Sequence, residues 1–395
     1  MVDGMRMTEI ERRSLGDELY SCAQCGYCQD ACPVYDVIPW ESASPRGKLY
    51  WIKRILTRGF LRTRVEADDA FVNRLFQCTL CGRCHEVCQT SLDTLKIWNT
   101  ARAEVHLSGR SPGNLTSISE NLKETGNPYG LDADMRLDWA DFTGLDDPPL
   151  KEKAELAYFV GCTTAFKGAN HRTAHATALL LNYLGEYWTL LGEDEWCCGG
   201  PMLMAGNEEG AREFARHNIE ELRRRGIKTL LTGCPTCYRM WKTEIPELLG
   251  EETGFNVLHS MEYLARKIGE GRLKLDTTQE RVTYHDPCEL SRLCGVVEEP
   301  RTILNALSSG FVEMPEHGRD VRCCGGGGLL QASDDELRMS IAGRRLEQAR
   351  ELGVNILTSA CPSCNQTLLD VSRGHGGEIK IVDLVEYLVD RLDLE

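Results

Sequence analysis

The sequence predicts an α+β, multi-domain chain: a mainly helical, cysteine-dense N-terminal third, then two duplicated α/β units, each on its own parallel sheet. Three observations carry this. Nineteen of the 395 residues are cysteine. Eight of these fall into two short runs of identical spacing in the first third. Ten more recur at a fixed offset through the remainder.

Composition narrows the chemistry first. Apolar residues make up 42% and charged residues 27%, enough to bury cores, so the chain is not disordered. A net charge of −15 argues against a nucleic-acid partner. Disulfide-dense scaffolds belong to short secreted chains. Here the first twenty residues hold no apolar stretch of signal-peptide length, and no run approaches a membrane span. The expected location is therefore cytoplasmic, peripheral to a membrane only through partners, with the thiols reduced and ligating metal.

Cys22, Cys25, Cys28 and Cys32 form the first run, followed by Pro33. Cys78, Cys81, Cys84 and Cys88 form the second. Both have the C-x2-C-x2-C-x3-C spacing of two-cluster ferredoxins. Three thiolates on a tight loop wrap one cubane, while the fourth, starting a helix that turns away, ligates the other. The expected ligand sets are thus crossed: Cys22, Cys25, Cys28 and Cys88 for one [4Fe–4S] cubane, Cys78, Cys81, Cys84 and Cys32 for the second. Zinc sites instead take four ligands as CxxC pairs on a longer loop and fit poorly. His85, inside the second run, is expected outside the ligand set. Between the runs, 45–61 reads as a helix with Leu49, Ile52, Ile55, Leu56 and Phe60 near helical spacing. Its surroundings are basic (Arg46, Lys48, Lys53, Arg54, Arg58, Arg62, Arg64). That is either a solvated face or a docking surface for an acidic redox partner. The stretch 111–149, rich in Asp, Gly and Pro, reads as a surface linker.

The other cysteines repeat. Cys162, the pair Cys197–Cys198, and Cys234-x2-Cys237 recur as Cys288, Cys323–Cys324, and Cys361-x2-Cys364, offset by 126, 126 and 127 residues. The flanking CCGG and the GCPTC/ACPSC segments match as well, which marks an internal duplication. Expected domain limits are 1–110, a linker 111–150, then 151–275 and 276–395. Each repeat alternates strands with helices: strands at 156–160 and 282–284, helices at 171–184 and 300–307, helices at 208–225 and 334–352, strands at 227–231 and 354–358. That order implies a parallel, Rossmann-like sheet, whose strand carboxyl ends share one ligand-binding edge. Five cysteines per repeat converge there, and the two repeats are expected to face one another across a pseudo-twofold. Gly199, Gly200, Gly325 and Gly326, directly after the cysteine pairs, allow tight turns, close backbone approach to a cofactor, and N–H donation to sulfur. Cys294 aligns with Gly168 and is expected to be either a buried structural thiol or a residue near the substrate.

This skeleton resembles the CCG modules of heterodisulfide reductases. Two ferredoxin motifs followed by two such modules resemble the D subunit of the membrane-linked enzyme. The layout, with Ser44-Pro45-Arg46-Gly47-Lys48, is also similar to iron–sulfur subunits of glycolate, lactate and glycerol-3-phosphate oxidising complexes. The resemblance implies a non-cubane [4Fe–4S] cluster on all five cysteines of each complete module, hence two of these beside two cubanes. It also implies cleavage of a disulfide by one-electron steps, iron capturing each sulfur. His285 is the nearest candidate to supply protons to the product thiolates, and His171 a weaker one. The alternative is an electron conduit without its own substrate, wiring a flavoprotein to a quinone or other acceptor. No GxGxxG follows a strand, so any flavin belongs to a partner protein, as does any membrane link. A simple CxxC thiol oxidoreductase leaves most cysteines without a role.

Overall fold

The computed structural model describes residues 18–56, 67–141, 149–374 and 376–392. The chain packs into two compact units, Met1–Ser117 with Pro201–Glu208 and Arg322–Ala342, and Ile118–Gly200 with Glu209–Val321 and Gly343–Glu395. The segments just after each Cys-Cys pair leave their repeats and pack into the smaller unit. There Leu330, Leu337 and Ile341 share a core with Cys32, Val34 and Ala43.

In the smaller unit the two cysteine runs fold alike. Gly26 (φ 92°) and Gly82 (φ 73°) precede single-turn helices, Tyr27–Asp30 and Arg83–Glu86. Gln24 and Leu80, both at φ 52°, occupy the same place in each loop. Left-handed backbone at both positions bends three cysteines around one point. Cys32 is extended and caps the Pro33–Val37 helix, with proline in its first turn, as the C-P ending predicts. Asp68 and Asp93 cap the helices Asp69–Phe76 and Thr94–Leu107 by accepting from Phe71 N (2.7 Å) and Lys96 N (3.1 Å). The helix between the runs is described over Pro45–Leu56; Phe60, Arg58, Arg62 and Arg64 lie outside the described residues.

The larger unit holds two parallel sheets. The first has order β2-β1-β3-β4, from β1 (Leu156–Phe159), β2 (Trp188–Thr189), β3 (Thr229–Thr232) and β4 (Asn256–His259). The second has order β5-β6-β7, from β5 (Val282–Tyr284), β6 (Ile356–Ser359) and β7 (Lys380–Asp383). Among the described residues β2 has no full counterpart; two isolated parallel bridges, Thr278 to Ser308 and Val282 to Phe311, lie in the second repeat. The central strands are buried along their lengths, as strands covered on both faces require.

Helix packing in this unit is reciprocal. His171–Tyr183 packs on Leu384–Val389, and its repeat equivalent Glu298–Leu307 packs on Ser260–Gly269. Likewise Cys162–Phe166 meets Pro362–Gly374, and Glu289–Leu293 meets Pro235–Arg239. Each element of one repeat thus meets the partner of its own equivalent, the pattern a pseudo-twofold makes. Among the described residues no helix is long and apolar enough to cross a membrane.

The 111–149 stretch differs from a plain linker. It carries the helix Gly113–Thr125 and a short 3-10 turn, Asp134–Leu137, and buries Asn127, Arg136 and Trp139.

Candidate metal centres

Two cavities in the smaller unit are lined by cysteines from both runs. One is lined by Cys22, Cys25, Cys28 and Cys88, and also by Cys84. The other is lined by Cys32, Cys78, Cys81 and Cys84. The fourth cysteine of each run therefore faces the other run's loop. The settings differ. Cys25 is exposed and Cys22, Cys28 and Cys88 are half-buried, whereas Cys32, Cys81 and Cys84 are buried. Burial pushes the Cys28 thiol up to about 11 and those of Cys32 and Cys84 up to about 12. A buried thiol pays for ionisation unless a metal takes the proton's place, so the donor set fits an iron–sulfur group. Backbone and hydroxyl groups already address the sulfurs: Leu92 N donates to Cys88 Sγ (3.3 Å), and Thr94 Oγ1 lies 3.0 Å from Cys84 Sγ. His85 is exposed, its Nδ1 2.8 Å from the Leu92 carbonyl.

The first repeat's five cysteines lie together in the larger unit, all buried. Cys162 follows β1 and the Cys234-x2-Cys237 pair follows β3, so the parallel sheet brings them to one edge. Their thiols form a hydrogen-bonded chain in the order Cys162, Cys197, Cys198, Cys237, Cys234. Sharing protons splits them. Hydrogen bonds from Cys197 and Cys237 hold Cys198 down at about 6, while Cys162 and Cys237 stand well above the ordinary thiol value. Glycine makes room. Gly161 (φ 78°) lies where a Cβ would come within 3.1 Å of Cys237 Sγ. One at Gly200 would sit 2.8 Å from Thr236 Cγ2 and 3.4 Å from Cys198 Sγ.

A cation reaches this cage from the 111–149 stretch. Arg136, 3% exposed, donates through Nη2 to Cys162 Sγ at 3.7 Å and through Nη1 to Glu195 Oε1 at 2.8 Å. Glu195 also accepts from Val160 N (3.0 Å) and Gly161 N (2.9 Å), which locks the loop carrying Cys162. Nothing in the cysteine spacing points to Arg136.

The second repeat's cysteines divide between the units. Cys288, Cys361 and Cys364 belong to the larger, Cys323 and Cys324 to the smaller, and all five are buried. Gly325 N and Gly326 N donate to Cys323 Sγ (3.3 Å) and Cys324 Sγ (3.4 Å), and Cys364 N to Cys361 Sγ (3.4 Å). The glycines also serve packing. Gly199 (φ 85°) and Gly325 (φ 90°) are equivalents, and a Cβ on either would press on the following helix, at Ala211 O (3.2 Å) or Arg338 O (2.7 Å). Gly327 and Gly328 let their strand of backbone lie on the Cys78–Thr79 peptide; a Cβ at Gly327 would stand 2.5 Å from Thr79 O.

His285, the expected proton source, stands just after β5. It is 1% exposed, and burial, reinforced by the neighbouring Arg345 charge, holds its pKa down at about 3. Arg345 Nε donates to its Nδ1 at 3.1 Å, so the ring is neutral and its other nitrogen carries the proton. A ring nitrogen of His285 and Cys364 Sγ lie within 4.8 Å of each other. His171 has a buried Nε2 without a partner and no contact that marks it for proton transfer. Cys294 is half-buried at the end of the Glu289–Leu293 turn, its thiol pushed up to about 12 by burial and Glu289.

The folds and cysteine cages define an iron–sulfur protein of the oxidoreductase class. A 4Fe-4S dicluster domain family matches residues 21–93, and a cysteine-rich domain family, CCG, matches 156–242 and 282–369. The chain is 34% identical to the D subunit of the dihydromethanophenazine:CoB–CoM heterodisulfide reductase of Methanosarcina mazei, over 96% of this chain and 95% of that one. The corresponding protein of Methanosarcina acetivorans is 33% identical over 95% of each chain. The chain belongs to the family of heterodisulfide reductase D subunits. It is also 29% identical to the B subunit of a CoM/CoB fumarate reductase from Methanothermobacter marburgensis, over 94% of this chain and 72% of that one.

Proposed function

We propose that this chain is one component of a larger redox complex and carries electrons through two cubane clusters to two five-cysteine clusters, where a disulfide is reduced. The observation that carries the reading is completeness: both repeats retain all five cysteines, so neither module is degraded to a mere scaffold. The proposed ligand sets are Cys22, Cys25, Cys28 and Cys88; Cys78, Cys81, Cys84 and Cys32; Cys162, Cys197, Cys198, Cys234 and Cys237; and, by repeat register, Cys288, Cys323, Cys324, Cys361 and Cys364. Bound there, iron–sulfur groups supply one-electron transfer and, at the five-cysteine sites, iron that takes up sulfur.

The chain's own residues do the rest. Arg136 holds positive charge against Cys162, and Glu195 fixes the loop that presents it. Gly325 and Gly326 aim N–H groups at the Cys323 and Cys324 sulfurs. Neutral His285, anchored by Arg345, offers one N–H near Cys364 and no exchangeable charge near neutrality. Product protons therefore come from water or a partner. Electrons come from a flavoprotein or another redox protein of the complex.

A conduit reading follows from another relative, the EtfAB:quinone oxidoreductase of Syntrophomonas wolfei. It is 28% identical over 94% of this chain and 58% of its own length. Iron analysis of anaerobically purified protein tests the cluster count: four clusters mean about sixteen irons per chain, and about eight overturns the five-cysteine sites. Candidate disulfides added to the oxidised and half-reduced protein separate the readings. A new paramagnetic signal supports reduction at this chain; silence with every disulfide leaves the conduit.

A further inference from the structure

The Ser44–Lys48 run sits between the cysteine motifs and has no ligand role. In the fold it opens the Pro45–Leu56 helix and divides its two cations between the two cavities of the smaller unit. Arg46 goes to the exposed one. Its Nη1 reaches Gln24 O at 3.5 Å, in the loop of Cys22 and Cys25, while Nε and Nη2 grip Glu41 bidentately at 2.8 and 2.9 Å. Its charge is therefore matched. Lys48 goes to the buried one. It is 3% exposed, lines the cavity of Cys32, Cys78, Cys81 and Cys84, and donates to Gln77 O at 2.7 Å. Gly47 makes this possible, because a Cβ there would collide with the Glu41 carbonyl.

A second buried cation serves the same turn. Arg102, 0% exposed, donates through Nη2 to the carbonyls of Leu75, Phe76 and Cys78, the last at 3.0 Å. Nη1 donates to Met204 O (2.9 Å) and Gly328 O (3.3 Å). It thus ties the second cysteine run to the backbone after each Cys-Cys pair. Among the described residues neither Lys48 nor Arg102 has a carboxylate partner.

Charge decides the consequence. Reducing a four-thiolate cluster adds one negative charge, breaks no bond and needs no proton. Burial alone penalises the added charge, and a nearby unmatched cation in low dielectric offsets that penalty. We propose that Lys48 and Arg102 are positioning residues that raise the reduction potential of the cluster on Cys32, Cys78, Cys81 and Cys84 above that of its exposed neighbour. Electrons delivered by a one-electron donor at the exposed cluster then run inward, to the buried one.

This inference rests on the two-cubane reading, and the test keeps the two apart. Mediated redox titration, followed by electron paramagnetic resonance, gives a midpoint for each cubane of the whole protein. Lys48→Met with unchanged iron content is expected to lower the reduced-to-oxidised ratio of the higher-potential cubane about tenfold at fixed ambient potential. For one electron that is a fall of about 59 mV. Lys48→Arg restores it, and Arg46→Gln leaves that midpoint in place. An unchanged midpoint, or a shift confined to the lower-potential cubane, overturns the proposal. Should Lys48→Met lose iron, Lys48→Gln, which removes the charge and keeps a donor, decides by the same criterion. Wild-type protein without two cubane signals defeats the cubane reading itself.

Discussion

Arg136 donates to the sulfur of Cys162 from the segment that precedes the first repeat. Around the second repeat's cysteines, the Arg239 guanidinium acts on Cys288 and a ring nitrogen of His285 lies within 4.8 Å of Cys364 Sγ.

Arg136→Met should be costly. It leaves Glu195 buried and unpaired at 1% exposure, and breaking a buried pair costs about 3–5 kcal/mol. Arg136→Met with Glu195→Gln should recover part of that loss, because the amide keeps an acceptor for Val160 N or Gly161 N. Denaturant midpoints for both variants check this; a double variant no better than the single one removes the pairing argument.

Gly161→Ala should empty one module without emptying the others. The new methyl is strained at φ 78° and crowds Cys237 Sγ. Iron is expected to fall by about four per chain, in line with one cluster. Full iron in this variant means the Cys162 loop adapts.

Cys88→Ser should perturb the exposed cubane and Cys294→Ser neither cubane. Cys88 lines the cavity of Cys22, Cys25 and Cys28, whereas Cys294 follows the Glu289–Leu293 turn in the larger unit. The cubane paramagnetic signals of the two variants give the answer, and a Cys88→Ser change in the buried cubane alone reverses the crossed assignment.

Acid should destabilise the larger unit through His259. Its Nδ1 accepts from Met261 N (3.2 Å) while Glu262 accepts from His259 N, closing a capping box. Burial holds its pKa at about 3 against an ordinary 6.5. Between those values the unfolded chain binds the extra proton, so stability is full above pH 6.5 and declines as pH falls toward 3. The slope contribution is about 1.4 kcal/mol per pH unit. His259→Asn, which keeps a capping acceptor, should flatten the dependence of the urea midpoint over this range. An unchanged slope assigns the acid sensitivity elsewhere.

Much of the site was legible because cluster ligation is written in short spacings. C-x2-C-x2-C and the paired CCG are local constraints, and the repeat offset relates distant cysteines without knowledge of the fold. Lys48 was not legible. In sequence it is one basic residue among seven; only the packing of the Pro45–Leu56 helix turns it inward while Arg46, two residues earlier, stays half-exposed and paired. Arg136 was hidden by its surroundings, since a stretch of Asp, Gly and Pro signals turns and says nothing about what the turns enclose. For His285 the sequence showed only a position shortly before Cys288; its burial beside Arg345 came from packing.

By itself the sequence determined the family, the two sheets and the grouping of the cysteines, because periodicity and spacing are properties of the chain. The tertiary structure decided where charge stands against those ligands. It sent Lys48 and Arg102 to one cavity, Arg136 to one module, and the segments after both Cys-Cys pairs into the smaller unit. Cation placement depends on which side chains long-range packing buries together, and in a low dielectric that placement governs how readily each centre accepts an electron.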